Sequence, residues 1–319
     1  MSDFYQGKRV VVTGGFGFLG QAVSMSLQRR GANVISLSRR MGCDLSDLTS
    51  AIYWFQVAKP EIVFNCAALQ GGLGFQKTAP AHIYAINTAI NLYAMEGALQ
   101  SGAKKYVNIL ASCAYPGESK GLLHEDGLLD GPLHPTVRWY AMPKRAAYIQ
   151  SLAYREQYSF NAINVMLINL YGPREHFSPT RSHAMGALIR KFYEAKRDDL
   201  PRVEVWGTGN PVREWTYIDD AAEGVVKAGE LYDSPEPINV ATGIGLSISE
   251  LANLIREVVD YPGQIHYDTT KPDGAPKKVA DIRKMRKVLN WKPQMTLREG
   301  IRTTVLWLEE NYDRVIQED

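Results

Sequence analysis

"VVVTGGFGFLG", Val10 to Gly20, sets three valines and a threonine directly against glycines spaced three apart. The valine run reads as a buried strand, and the apolar pattern opening at Phe18 and Leu19 reads as the start of a helix. Gly14, Gly17 and Gly20 leave no Cβ between backbone and ligand, so a pyrophosphate can approach and rest its charge on the helix N-terminus. A strand, a glycine turn and a helix in that order predict a dinucleotide-binding α/β unit, with Gly14, Gly17, Phe18, Leu19 and Gly20 at the cofactor.

Outward from that stretch the pattern repeats. "ANVISLS" (32–38), "EIVFNCAA" (61–68), "KKYVNILAS" (104–112) and "NAINVMLIN" (161–169) are short apolar runs, each followed by a longer amphipathic segment. Such alternation predicts βαβ units and a doubly wound parallel sheet. After Asn169 the texture changes to "LYGPREHFSPTRSH" and later to "TTKPDGAPKK", both rich in loop residues, while "PINVATG" (237–243) returns as one more strand. The expected organisation is a Rossmann domain of residues 1–173 plus 215–245, interleaved with a smaller α/β substrate domain of residues 174–214 plus 246–319.

The bulk composition excludes several classes. The chain has 319 residues, 45% hydrophobic and 22% charged, with a formal net charge of +2. That balance argues against a nucleic-acid partner, and no apolar run approaches the roughly 18 residues of a membrane span. The N-terminus leads straight into the first strand without a signal region, which predicts a cytoplasmic enzyme. Cys43, Cys66 and Cys113 are scattered and odd in number, so neither a disulfide framework nor a metal site is indicated.

Three further stretches carry chemistry. The second strand ends in Ser38, Arg39 and Arg40, where cations suit a ribose 2′-phosphate, so NADP(H) is expected; Asp44 close behind is placed near the adenine. "YAMPK" sets Tyr140 and Lys144 one helical turn apart, and an ammonium beside a phenol favours the phenolate for proton transfer at a carbonyl oxygen. Pro143 between them fits a helix beginning near Trp139, with the proline in its first turn. "ILASCAYPG" (109–117) ends another strand, and continued alternation would put Ala111 and Cys113 on one face and Ser112 on the other.

With these residues in view, the chain resembles the extended short-chain dehydrogenases/reductases, and within them the GDP-L-fucose synthase subfamily. The resemblance runs end to end through "AALQGG", "SCAYP", "YAMPK", "NLYGPREHF", "SHAMGALIRKF", "VWGTGNPVREWTYIDDAA", "KPDGAPKK" and "LNWKP". It implies an NADPH-dependent epimerase/reductase of a 4-keto-6-deoxy nucleotide sugar, GDP being the favoured nucleotide. It further implies Tyr140 and Lys144 as the reductase pair and Cys113 and His183 as the acid/base pair for epimerisation. Asn65, Ala67 and Asn169 are expected near the cofactor, and Asn87, Ser112, Asn169, Lys191, Trp206, Arg213 and Lys278 around the nucleotide sugar. Apolar residues on several faces of the helices at "IYAINTAINLYAMEGAL" and "YAMPKRAAYIQSLAY" imply a homodimer. One position departs from the family, which writes Ser-Ser-Cys where this chain has Ala111-Ser112-Cys113. That departure keeps two alternatives open, an epimerase without net reduction and a simple 4-ketoreductase. A dehydratase is disfavoured because Cys113-Ala114 stands where that chemistry uses an Asp-Glu pair. A cofactor-sensing protein without turnover is disfavoured by the intact Tyr140-Lys144 pair.

Overall fold

The computed structural model describes residues 3–119, 121–179, 181–271 and 273–317. Thr180 and Pro272, which fall inside the two loop stretches quoted above, lie outside the described residues. In chain order the strands are β1 (Arg9–Thr13), β2 (Asn33–Leu37), β3 (Ile62–Asn65), β4 (Lys105–Ala111), β5 (Asn161–Leu167), β6 (Leu170–Tyr171), β7 (Arg202–Trp206), β8 (Val212–Glu214), β9 (Thr216–Tyr217), β10 (Pro237–Val240), β11 (Gly245–Ser247), β12 (Gln264–Asp268) and β13 (Lys277–Lys278). The α-helices are α1 (Phe18–Arg29), α2 (Leu48–Ala58), α3 (Leu73–Thr78), α4 (Pro80–Gln100), α5 (Arg138–Tyr158), α6 (Ala184–Arg197), α7 (Ile218–Leu231), α8 (Ile248–Val259), α9 (Arg283–Leu289), α10 (Leu297–Glu310) and α11 (Tyr312–Gln317).

Six strands form one sheet in the order β10-β5-β4-β3-β1-β2, every pair parallel. All six apolar runs read from the sequence are in it. Its strands are apolar without a break because helices cover both faces: Val10 and Val12 enter one core and Val11 the other, as the pleat requires. The strand order reverses between β1 and β3, and a ligand crevice opens at such a reversal beyond the carboxyl ends of the strands.

The rest of the chain builds on that edge. β7 pairs with β12, and β8 lies between β11 and β13. Helix α6 buries Met185, Leu188, Ile189, Phe192 and Ala195, a single stripe at helical spacing. Capping boxes start α8 (Ser247 with Glu250) and α10 (Thr296 with Glu299), satisfying amides that would otherwise be unpaired. No helix of the described residues is long and apolar enough to cross a membrane.

Two local expectations are corrected. β4 stops at Ala111, opposite the last residue of β5, and Ser112–Ala114 form a 3-10 turn closed by the Tyr115 amide on the Ser112 carbonyl at 3.2 Å. The two-residue alternation therefore does not reach Cys113, and its direction is set by the turn. Helix α5 starts at Arg138, close to where it was expected, but Pro143 is its sixth residue and so lies in the second turn. There it removes the amide that would bond the Trp139 carbonyl.

Candidate active site

The crevice at the strand reversal is a cleft of about 850 Å³. Its floor is the glycine loop. Gly14 has a left-handed φ of +61°, and a Cβ there would come within 2.9 Å of the Ala67 Cα. A Cβ on Gly20 would lie 2.1 Å from the Gly14 carbonyl oxygen. Gly14, Gly17, Phe18 and Ala67 line the cleft, whereas Leu19 packs on the core and Gly20 serves the turn from behind. At one end Ser38, Arg39, Arg40 and Asp44 line the cavity, the arginines exposed on a 3-10 turn after β2. Asp44 is turned onto the Ser46 hydroxyl and amide, at 2.6 and 2.9 Å, bonds that hold its carboxyl below the usual range.

These features fit a phosphorylated dinucleotide. The glycine cradle has no room for side chains, and among the described residues the Ser38 hydroxyl oxygen is buried without a protein partner, next in the chain to the exposed Arg39 and Arg40. Asn65, expected at the cofactor, is wholly buried: its Oδ1 accepts from the Thr13 hydroxyl at 2.6 Å and its amide nitrogen reaches Asn91 at 3.4 Å. It ties the glycine loop's strand to α4 without facing the cleft. Asn87, expected at the substrate, is also buried, bonded to both backbone groups of Leu69 and to the Ile83 carbonyl. It holds the loop after β3. That loop continues to Gly72, whose amide donates to the Arg181 carbonyl at 2.9 Å and where a Cβ would strike the Ser182 carbonyl at 2.2 Å. Asn87 thus supports the approach to His183 from a distance.

Tyr140, Lys144 and Cys113 converge beyond the end of β4. The Lys144 ammonium donates to the Ile109 carbonyl at 2.7 Å and lies 5.8 Å from the Tyr140 ring. Burial pushes this ammonium down to about 8. Burial also drives the Tyr140 phenol far above its ordinary value, with the Cys113 sulfur adding to the rise. The expected depression of Tyr140 by Lys144 is therefore reversed, because removing the phenolate from water costs more than a lysine engaged elsewhere returns. Cys113 is pushed up to about 11 by burial, against the pull of Lys144 and Lys278. Ser112 follows Ala111 at the entry to the same turn.

Lys278 reaches this turn from the other side, its ammonium donating to the Pro116 carbonyl at 2.6 Å. It pairs in register with Arg213 across β13 and β8. Burial pushes Lys278 down to about 8 as well, with Arg213 and Arg145 adding to the fall and Cys113 opposing it. Arg213 is half-buried, and desolvation lowers it too. Trp206 is 57% exposed at the end of β7, with the Lys191 and Lys271 ammoniums 5.4 and 5.7 Å from its ring. Lys191 also bonds the Glu204 carbonyl, and Asn169 donates to the Glu214 carbonyl at the junction of the two parts. His183 is the N-cap residue of α6; although the residue keeps an exposed face, desolvation among its neighbours holds the imidazole below its ordinary value, with His176 adding to the fall.

Several lining residues escaped the sequence. Ile86 and Ile90, four apart on α4, form an apolar wall of the cleft. Arg174, Arg181, Trp307 and Arg314 also line it. The spacing of the isoleucines was visible in advance, but nothing local marks a residue near position 310 as a neighbour of the glycine loop.

Comparison with known proteins agrees with this geometry. The model of the NAD dependent epimerase/dehydratase family matches residues 10–241. A probable GDP-L-fucose synthase 1 of Oryza sativa subsp. japonica is 38% identical over 307 residues, covering 96% of this chain and 93% of that one. Among solved structures, a GDP-6-OMe-4-keto-L-xylo-heptose reductase from C. jejuni superposes with a TM-score of 0.90 at 27% identity, covering 98% of this chain and 99% of that one. A GDP-L-fucose synthetase from Naegleria fowleri bound to NADP gives a TM-score of 0.87 at 26% identity, covering 97% and 96%. With the glycine cleft, the Tyr140-Lys144 helix and a full-length relative at that identity, the chain belongs to the NAD dependent epimerase/dehydratase family, in its GDP-L-fucose synthase branch.

Proposed function

We propose that the protein is an NADPH-dependent epimerase/reductase of a 4-keto-6-deoxy sugar carried on GDP. The observation that carries this reading is the convergence of Tyr140, Lys144, Cys113 and Lys278 on one turn at the carboxyl edge of the sheet, next to a cleft built for a phosphorylated dinucleotide. The names of the relatives support the nucleotide, and the NADP-bound neighbour supports the cofactor.

The glycine loop, Arg39 and Arg40 would hold NADPH, which when bound would supply the hydride for the 4-keto carbon. Tyr140, a neutral phenol in its buried setting, donates its proton to the alkoxide oxygen that develops. Lys144, one turn along α5, keeps its ammonium 5.8 Å from the ring of the phenolate left behind. For epimerisation, the ketone acidifies the hydrogens on the neighbouring carbons. His183, held neutral, accepts such a proton, and the Cys113 thiol returns one to the opposite face of the enolate. Lys278 and Arg213 take the diphosphate, and Trp206 with Lys191 offers a stacking surface for the base.

Ala111 favours a second reading in which one step dominates, since it offers no hydroxyl to the substrate carbonyl. That reading comprises an epimerase without net reduction or a simple 4-ketoreductase. The test is NADPH oxidation with GDP-4-keto-6-deoxymannose: Tyr140→Phe should lower turnover by about 10²–10⁴-fold while substrate still binds. Unchanged turnover would remove Tyr140 from its role.

The protein is further proposed to act as a homodimer through α4 and α5, which pack together and expose Tyr84, Leu92, Met142, Ile149 and Tyr158 on their outer faces. Light scattering at micromolar concentration should give twice the chain mass, and a monomer would contradict it.

A further inference from the structure

Arg174, in the loop between β6 and α6, has a backbone φ of +70°, a conformation that L side chains rarely adopt. A glycine would take it freely, yet an arginine occupies the position. It lines the same dinucleotide cleft as Arg39 and Arg40. The Nη1 atom donates to Gln21 Oε1 at 2.8 Å, and the same Gln21 donates through Nε2 to the Phe16 carbonyl at 2.8 Å. One amide side chain therefore fastens the guanidinium to the glycine loop itself. An arginine carries five N–H donors. Among the described residues no other hydrogen bond is made by Arg174, and the carboxylate whose charge it meets is Asp219, without a direct ion pair. The neighbouring Glu175 lines the same cavity and is buried, with burial holding its carboxyl well above the ordinary range, so Glu175 itself favours its neutral form beside Arg174.

We propose that Arg174 is a clasp for the pyrophosphate of the bound dinucleotide, delivered by the substrate-side loop and held in place by Gln21. The glycine loop and the α1 N-terminus then meet one side of the pyrophosphate, and a forked guanidinium meets the other. Arg39 and Arg40 would read the 2′-phosphate at the far end of the same ligand, so the two sets of arginines are separable by ligand fragment. The inference rests on the dinucleotide reading of the cleft.

The test is titration calorimetry on the full chain with NADPH, ADP-ribose and adenosine 2′-monophosphate. Arg174→Gly removes the guanidinium and accepts the left-handed backbone, so the fold should survive, as circular dichroism and thermal melting of the unliganded protein will show. Arg174→Gly should weaken NADPH and ADP-ribose about ten- to a hundredfold, the range for charge-assisted bonds, and Arg174→Lys less. Adenosine 2′-monophosphate should stay within about twofold of wild type, while the Arg39→Ala, Arg40→Ala double variant should lose it. Unchanged ADP-ribose affinity in Arg174→Gly, or an equal loss of adenosine 2′-monophosphate, would overturn the clasp and leave Arg174 a tether between loops. If wild type binds none of the three ligands, the dinucleotide reading itself fails.

Discussion

Lys278 and Tyr140 show how burial decides protonation in this site. Both sit where water is excluded, and in each the neutral form is favoured: the phenol keeps its proton, and the ammonium gives its proton up near pH 8. For Lys278 the sign is direct. Below about 8 the group is a cation able to meet a diphosphate, and above it the cation is lost. Affinity for GDP should therefore fall by about tenfold as pH rises from roughly 7 to 9, and Lys278→Met should bind weakly with a flat profile. A wild-type profile as flat as the variant's would place the diphosphate elsewhere. Tyr140 and Lys144 were legible as a pair because their spacing is that of a helical turn. The direction of the phenol's shift was not, since it depends on burial beneath residues far away in the chain.

At the scale of elements, what could be read followed periodicity. The six parallel strands announced themselves as unbroken apolar runs, and the glycine turn as spaced positions where a Cβ has nowhere to go. Gly20 is the clearest case, with the Gly14 carbonyl 2.1 Å from where a Cβ would stand. Gly20→Ala should destabilise the fold by about 1–3 kcal/mol and displace the loop. Thermal melts with and without NADPH should show a lower melting temperature and a smaller ligand-induced rise, and a variant indistinguishable from wild type would contradict the cradle. The turn at Ser112–Ala114 was misread for a physical reason. Strand alternation holds only while a ladder partner continues, and β5 ends opposite Ala111. The amides of Asn65 and Asn87 were misplaced because side chains that support a site and side chains that face it look alike in a sequence.

At the scale of the molecule, the cleft is closed by parts far apart in the chain. Trp307 stacks on Phe177 with ring centroids 5.9 Å apart, Arg314 lies over Trp307, and all three line the cavity that begins at Gly14. No local pattern could have placed α10 and α11 there. The same long-range assembly brings Lys278, from β13, to the turn that follows β4. The central claim is that this assembly both exchanges ring protons and reduces the ketone. The most direct measurement incubates GDP-4-keto-6-deoxymannose with the enzyme and NADPH in deuterated water, following ring deuterium by NMR and NADPH by absorbance together. The account predicts deuterium entering the ring beside the ketone and NADPH consumed, with Cys113→Ala abolishing most of the exchange. NADPH consumed briskly with no deuterium in the ring would contradict it, and would leave a simple ketoreductase in which Cys113 only packs.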